Sequence, residues 1–101
     1  MKSTFTKDNE QLNVCLDGRL DTTTSEDFIA EAQKQMDDKT TVICLNCQKL
    51  EYISSAGLRA LMMLHEEVVD KGGVVKLQNI GQQVNDVLKM TGMNEFFEIV
   101  D

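Results

Sequence analysis

The passage from strand to helix across residues 41–64 constrains this chain more than any other stretch. Thr41-Val42-Ile43-Cys44-Leu45 is a short, continuous apolar run. Such a run suits a central strand buried on both faces. Ser54-Ser55-Ala56-Gly57 follows, and then Leu58, Leu61, Met62, His65, Val68 and Val69 recur at helical spacing. Ala60, Met63 and Leu64 widen the stripe, so this helix is apolar around much of its girth. A buried strand that feeds a largely apolar helix needs a sheet for both to pack on, which points to an α/β domain.

The flanking sequence supplies that sheet. Residues 3–7 are β-prone, Asp8-Asn9-Glu10 is turn-like, and Leu12-Asn13-Val14-Cys15-Leu16 alternates apolar and polar. Two such runs across a short turn predict an antiparallel hairpin. Asp17-Gly18 marks a turn or bulge, after which Arg19-Leu20-Asp21 resumes. Thr23-x-x-Glu26 fits a capping box, with Thr24-x-x-Asp27 a weaker echo. Phe28, Ile29, Ala32 and Met36 then make the inner face of a first helix, which Asp38-Lys39 ends. Gly72-Gly73 stops the second helix, and Val74-Val75-Lys76-Leu77 is the next strand. Ile80, Val84, Val87, Leu88 and Met90 predict a third helix that Gly92 stops, and residues 96–100 close as a final strand. The predicted order is β-β-α-β-α-β-α-β in one domain over residues 1–101. Its helical crossovers are right-handed and make parallel pairs.

Charge narrows the function classes. Lys and Arg total 10 against 17 Asp and Glu, a net charge of −7. The excess is spread along the chain, so no basic patch remains for a nucleic-acid backbone or an anionic membrane surface. No apolar run approaches the ~20 residues of a membrane span, and residues 1–6 lack a signal core. The chain therefore reads as a cytoplasmic protein without membrane insertion. Its three cysteines are expected as reduced thiols.

Few residues offer catalytic chemistry. Cys44 and Cys47 form a lone C-x-x-C on a predicted strand, where positions three apart face opposite sides. They read as buried thiols without metal. His65 is the only histidine. Ten residues of helix separate it from Ser55, roughly 15 Å, so it is no base for that hydroxyl. Met62 and Met90 are expected in the core and Met63 at the surface. Ser54 and Ser55 remain as helix cap or as phosphate acceptor. A phosphate there adds about −1.5 to −2 charges beside the positive end of a helix.

Three segments together resemble the STAS domain family in its stand-alone bacterial form, the anti-sigma factor antagonists. Tyr52-Ile53-Ser54-Ser55-Ala56-Gly57-Leu58-Arg59 looks like the family's phosphorylation motif. Gly18-Arg19-Leu20-Asp21-Thr22-Thr23-Thr24-Ser25 is similar to its Gly-x-Leu-Asp segment, and Met90-Thr91-Gly92-Met93 with Phe96-Phe97 resembles its Thr-Gly-Leu segment. The resemblance implies a mixed sheet of four to five strands with helices mainly on one face. It implies a regulator without catalytic residues, cofactor or metal. Its partners would be an anti-sigma factor that is also a serine kinase and a metal-dependent serine phosphatase.

By the same resemblance the unphosphorylated form binds the kinase and releases its target, and phosphorylation switches binding off. The chain departs from the family pattern at three positions. Ser54 stands where members often have Asp, Ala56 replaces a second hydroxyl, and Asn46 replaces an Asp on the preceding strand. Ser55 is therefore the expected acceptor, also serving as cap, with Ser54 the second choice. Asp21, Thr22 and Thr23 before the first helix are expected to touch the partner. So are Ser54, Ser55, Gly57, Leu58, Arg59, Met62 and Met63 around the second helix. The rival expectation is a constitutive structural or regulatory subunit of a transporter or signalling complex, with no phosphate switch.

Overall fold

The computed structural model describes residues 1–100. Along the chain run β1 (Lys2–Asp8), β2 (Gln11–Leu20), α1 (Ser25–Gln35), β3 (Val42–Ile53) and α2 (Ser55–Val69). Then come β4 (Val74–Gln78), α3 (Gln82–Thr91), a 3-10 turn (Met93–Phe96) and β5 (Glu98–Val100). The sheet order is β1-β2-β3-β4-β5. β1 is antiparallel to β2, and every later neighbour is parallel. Each helix carries the chain one strand further in the same direction. Right-handed crossovers of that kind place α1, α2 and α3 on one face of the sheet. The expected mixed α/β architecture and element order are therefore present.

Alternation shows which face the helices cover. Leu12, Val14 and Leu16 of β2, Ile43, Leu45 and Cys47 of β3, and Val75 and Leu77 of β4 are buried in one core. In register they form continuous rows, Leu12 beside Ile43 beside Val75, and Val14 beside Leu45 beside Leu77. Phe5 extends the second row from β1 and stacks on Phe28 of α1. Leu58, Leu61, Leu64 and Val68 of α2 close over the centre.

Four expectations about these elements are corrected. β3 runs through to Ile53, well beyond the apolar run that ends at Leu45. Against β2 it carries two bulges, between the Cys15 and Asp17 partners and between the Gly18 and Arg19 partners. Its inward residues therefore step 43, 45, 47 and then 50 and 53, which erases the period of two. Asn46 holds the first bulge, its Oδ1 accepting the Gln48 backbone N–H at 3.0 Å and the Asn79 amide at 3.3 Å. Val69 is exposed, while Leu64 takes its place in the core. Met90 is 85% exposed instead of buried. It lies six residues beyond buried Val84, roughly 240° around the helix, on the wet side. Phe96 belongs to the 3-10 turn, and the last strand begins at Glu98.

Candidate functional site

The serine joint forms where β2 and β3 end together. Leu20 and Ile53 are the last pair in register, and the Ser54 backbone N–H donates to the Leu20 carbonyl at 3.0 Å. Asp21 and Ser54 therefore leave the same end of the sheet side by side. Gly57 lets α2 start this close. A Cβ on it would lie 2.5 Å from the Leu20 carbonyl oxygen and 2.8 Å from Ile53 Cγ1. From the other side Gln83 of α3 accepts the Ile53 backbone N–H on its Oε1 at 3.2 Å.

The two serines divide their roles, which corrects the expectation that Ser55 caps the helix. Ser54 is the N-cap. Its backbone is extended, its Oγ accepts the Gly57 N–H at 3.3 Å, and its carbonyl accepts the Leu58 N–H at 2.9 Å. Ser55 is the first helical residue and is exposed. Among the described residues its hydroxyl makes no side-chain hydrogen bond, so it stands free beside the unpaired N–H groups of the first turn.

Asp21 organises the neighbouring turn. Its Oδ1 accepts the Thr23 hydroxyl at 2.7 Å and the Thr23 backbone N–H at 3.0 Å. Its carbonyl accepts the Ser25 hydroxyl at 2.5 Å, and its own N–H donates to Thr24 Oγ1 at 2.9 Å. The capping box expected between Thr23 and Glu26 does not form: the cap position of α1 lies one residue later, at Thr24, and the Thr23 backbone N–H that Glu26 would accept donates to Asp21 Oδ1. Thr24 is the N-cap residue of α1, but its hydroxyl donates to the Arg19 carbonyl at 2.8 Å and caps nothing. The Thr23 hydroxyl, then its N–H, hold the Asp21 carboxyl below the usual carboxylate range. Arg19 adds to this with Nε 3.8 Å from Oδ2, while its guanidinium lies 4.2 Å over the Tyr52 ring.

Around this joint the expected contact residues separate into two groups. Thr22, Thr23, Ser55, Arg59 and Met63 are exposed, and Asp21, Ser54 and Met62 are half-buried. Gly57 and Leu58 are buried, Leu58 at 1% exposure, so neither presents a surface to a partner docked on this domain as it stands. Leu58 faces the sheet because α2 lies flat on it, and Gly57 is closed off by Leu20 and Ile53. A shallow groove of about 500 Å³ runs between α1 and α2 from Ala56. Glu26, Ala30, Arg59, Ala60 and Met63 line it. Ala56 and Ala60 are four apart and small, a signal for a groove that the apolar count of α2 concealed.

The remaining chemical groups lie away from this end. Cys47 is buried in the core, and burial pushes its thiol up to about 12. Cys44 is buried on the opposite side of β3 and is likewise raised by burial. Cys15 is exposed and free. His65 rests edge-on against the rings of Phe96 and Phe97 at 5.6 and 6.0 Å, and among the described residues its Nδ1 has no partner. Among the described residues no three His, Cys, Asp or Glu side chains are grouped to hold a metal. No described helix is long and apolar enough to cross a membrane.

The STAS domain matches residues 4–101. The chain belongs to the STAS domain family. A Bordetella bronchiseptica protein named as a candidate anti-sigma factor antagonist, BtrV, is 29% identical over 101 residues, all of this chain and 87% of that one. Among solved structures, a Thermotoga maritima protein described in the same terms superposes with a TM-score of 0.88 at 18% identity, over 97% of this chain and 85% of that one. The anti-sigma factor antagonist SpoIIAA in its unphosphorylated form gives 0.76 at 20% identity, over 99% and 88%. The phosphorylated form of the Bacillus SpoIIAA gives 0.77 at 19%, over 99% and 92%. These likenesses establish the shared STAS fold.

Proposed function

We propose that this STAS protein is an anti-sigma factor antagonist switched by phosphorylation of Ser55. The unphosphorylated form binds an anti-sigma factor that is also a serine kinase, and the bound regulator is released. The observation that carries the reading is the division of labour between the serines. Ser54 holds the helix, so Ser55 is free to react without uncapping it. In the transfer, Ser55 Oγ attacks the γ-phosphorus of a nucleoside triphosphate held by the kinase. The new O–P bond replaces the bond to the β-phosphate oxygen, the diphosphate leaves, and the hydroxyl proton passes to a base of the kinase. A metal-dependent serine phosphatase reverses the mark by hydrolysis.

Asp21, Thr22, Thr23, Ser54, Arg59, Met62 and Met63 surround Ser55 as the surface that the partner touches. A phosphate there introduces bulk and about two negative charges into a closed contact. A loss of about 1.4 kcal/mol is a tenfold loss of affinity, so a few strained contacts suffice to break the complex. The BtrV relative and the two SpoIIAA forms support this reading by the descriptions they carry. The test is titration calorimetry against the cognate anti-sigma kinase. Wild type and Ser55→Ala should bind alike, and protein carrying phosphoserine at 55 should bind at least tenfold more weakly. Equal affinity of the phosphorylated form contradicts the switch.

A further inference from the structure

The first ten residues of α2, from Ser55 to Leu64, contain a single charged side chain, Arg59. It is exposed, and among the described residues no carboxylate lies within ion-pair distance of it. Arginine without a partner is notable in a chain of net charge −7. Ser55 and Arg59 are four apart on one helix, which puts them on the same face with their Cβ atoms about 5–6 Å apart. The order is the favourable one, with the anion-bearing residue N-terminal to the cation. Arg59 also lines the groove between α1 and α2, beside Glu26 and Met63.

We propose that Arg59 is the internal receiver of a phosphate on Ser55, drawn out of the α1–α2 groove into a charge-assisted pair on the first turn of α2. This rests on the reading of Ser55 as the acceptor, and it adds the way in which the mark is read. In the unmodified protein Arg59 is available to a partner docked over the groove. After phosphorylation its guanidinium faces a dianion one turn away, with fork geometry matched to two phosphate oxygens. The switch therefore both adds a charge and removes a cation from the contact surface. Glu26 of α1 lines the same groove, and among the described residues it makes no ion pair with Arg59.

The test uses full-length protein with phosphoserine incorporated at position 55 during translation, so that it does not depend on any kinase. The second ionisation of the phosphate is followed by phosphorus NMR in wild type, Arg59→Gln and Arg59→Lys. Pairing favours the dianion, so wild type should ionise at lower pH than Arg59→Gln by roughly 0.3 unit. Arg59→Lys should recover part of that difference. The Arg59 Nε–H resonance should also shift on phosphorylation. Superimposable titrations in wild type and Arg59→Gln, with an unmoved Nε–H, overturn the proposal and leave Ser55 as acceptor intact. A kinase that ignores Ser55 would contradict the acceptor reading and leave these titrations unaffected.

Discussion

Replacing each serine of the joint by alanine separates its two functions. Ser54→Ala removes the oxygen that accepts the Gly57 N–H at 3.3 Å and returns that donor to water or to nothing. Loss of a serine N-cap costs about 0.5–2 kcal/mol, and this bond is long, so about 1 kcal/mol is expected. In a domain of this size that is roughly a 4–8 °C fall in Tm. Ser55→Ala removes an exposed hydroxyl that has no side-chain hydrogen bond among the described residues, and places a better helix former in the first turn. Its effect should stay within about 0.5 kcal/mol of zero. Thermal melts and urea unfolding of both variants, fitted with a common m-value, provide the comparison. An equal or larger loss for Ser55→Ala would refute the assignment of cap and free hydroxyl.

Four other substitutions test the joint and the rest of the fold. Gly57→Ala places a methyl 2.5 Å from the Leu20 carbonyl oxygen, so the joint must open and stability should fall by about 1–3 kcal/mol in urea unfolding. Leu58→Ala should cost about 2–5 kcal/mol as a core truncation, whereas Met90→Ser should be nearly neutral, which calorimetric melts distinguish. Lys7 lies against Asp37, and its ammonium, followed by the Lys39 backbone N–H, lowers the Asp37 carboxyl from 3.8 to about 2. Its folded value is below the unfolded one, so the stabilisation is complete above about pH 4 and lost as pH falls toward 2. Asp37→Asn should flatten that acid limb in melts taken across the range.

Much of this arrangement was legible because local chemistry and tertiary structure agree. The period of two in residues 12–16, the capped apolar helix after Ser54 and the Gly92 stop each name their element, and Gly92 does adopt the left-handed conformation of a helix terminus. The rest depends on partners distant in sequence. β3 was visible only to Leu45 because two bulges move its inward positions to Leu50 and Ile53, a pattern that takes meaning only beside β2. The turn before α1 looked like a capping box until Asp21 took the Thr23 backbone N–H. A carboxylate two residues upstream outcompetes one three residues downstream, and no propensity records that. Met90 is apolar and near the right spacing, yet lies outside the arc that Val84 and Leu88 bury. At the site, the serine pair marked the place, but which serine caps depended on where β3 ends and α2 begins. Leu58 and Gly57 sit within the motif and are expected to touch the partner. Their burial follows from α2 lying flat on the sheet, with its N-terminus pressed against Leu20.

The most direct test of the central claim is site-resolved mass spectrometry on the protein after incubation with its cognate anti-sigma kinase and nucleoside triphosphate. The account predicts one phosphate per chain, on Ser55, with complete loss of labelling in Ser55→Ala and near-normal labelling in Ser54→Ala. Phosphate on Ser54, or undiminished labelling of Ser55→Ala, would contradict it.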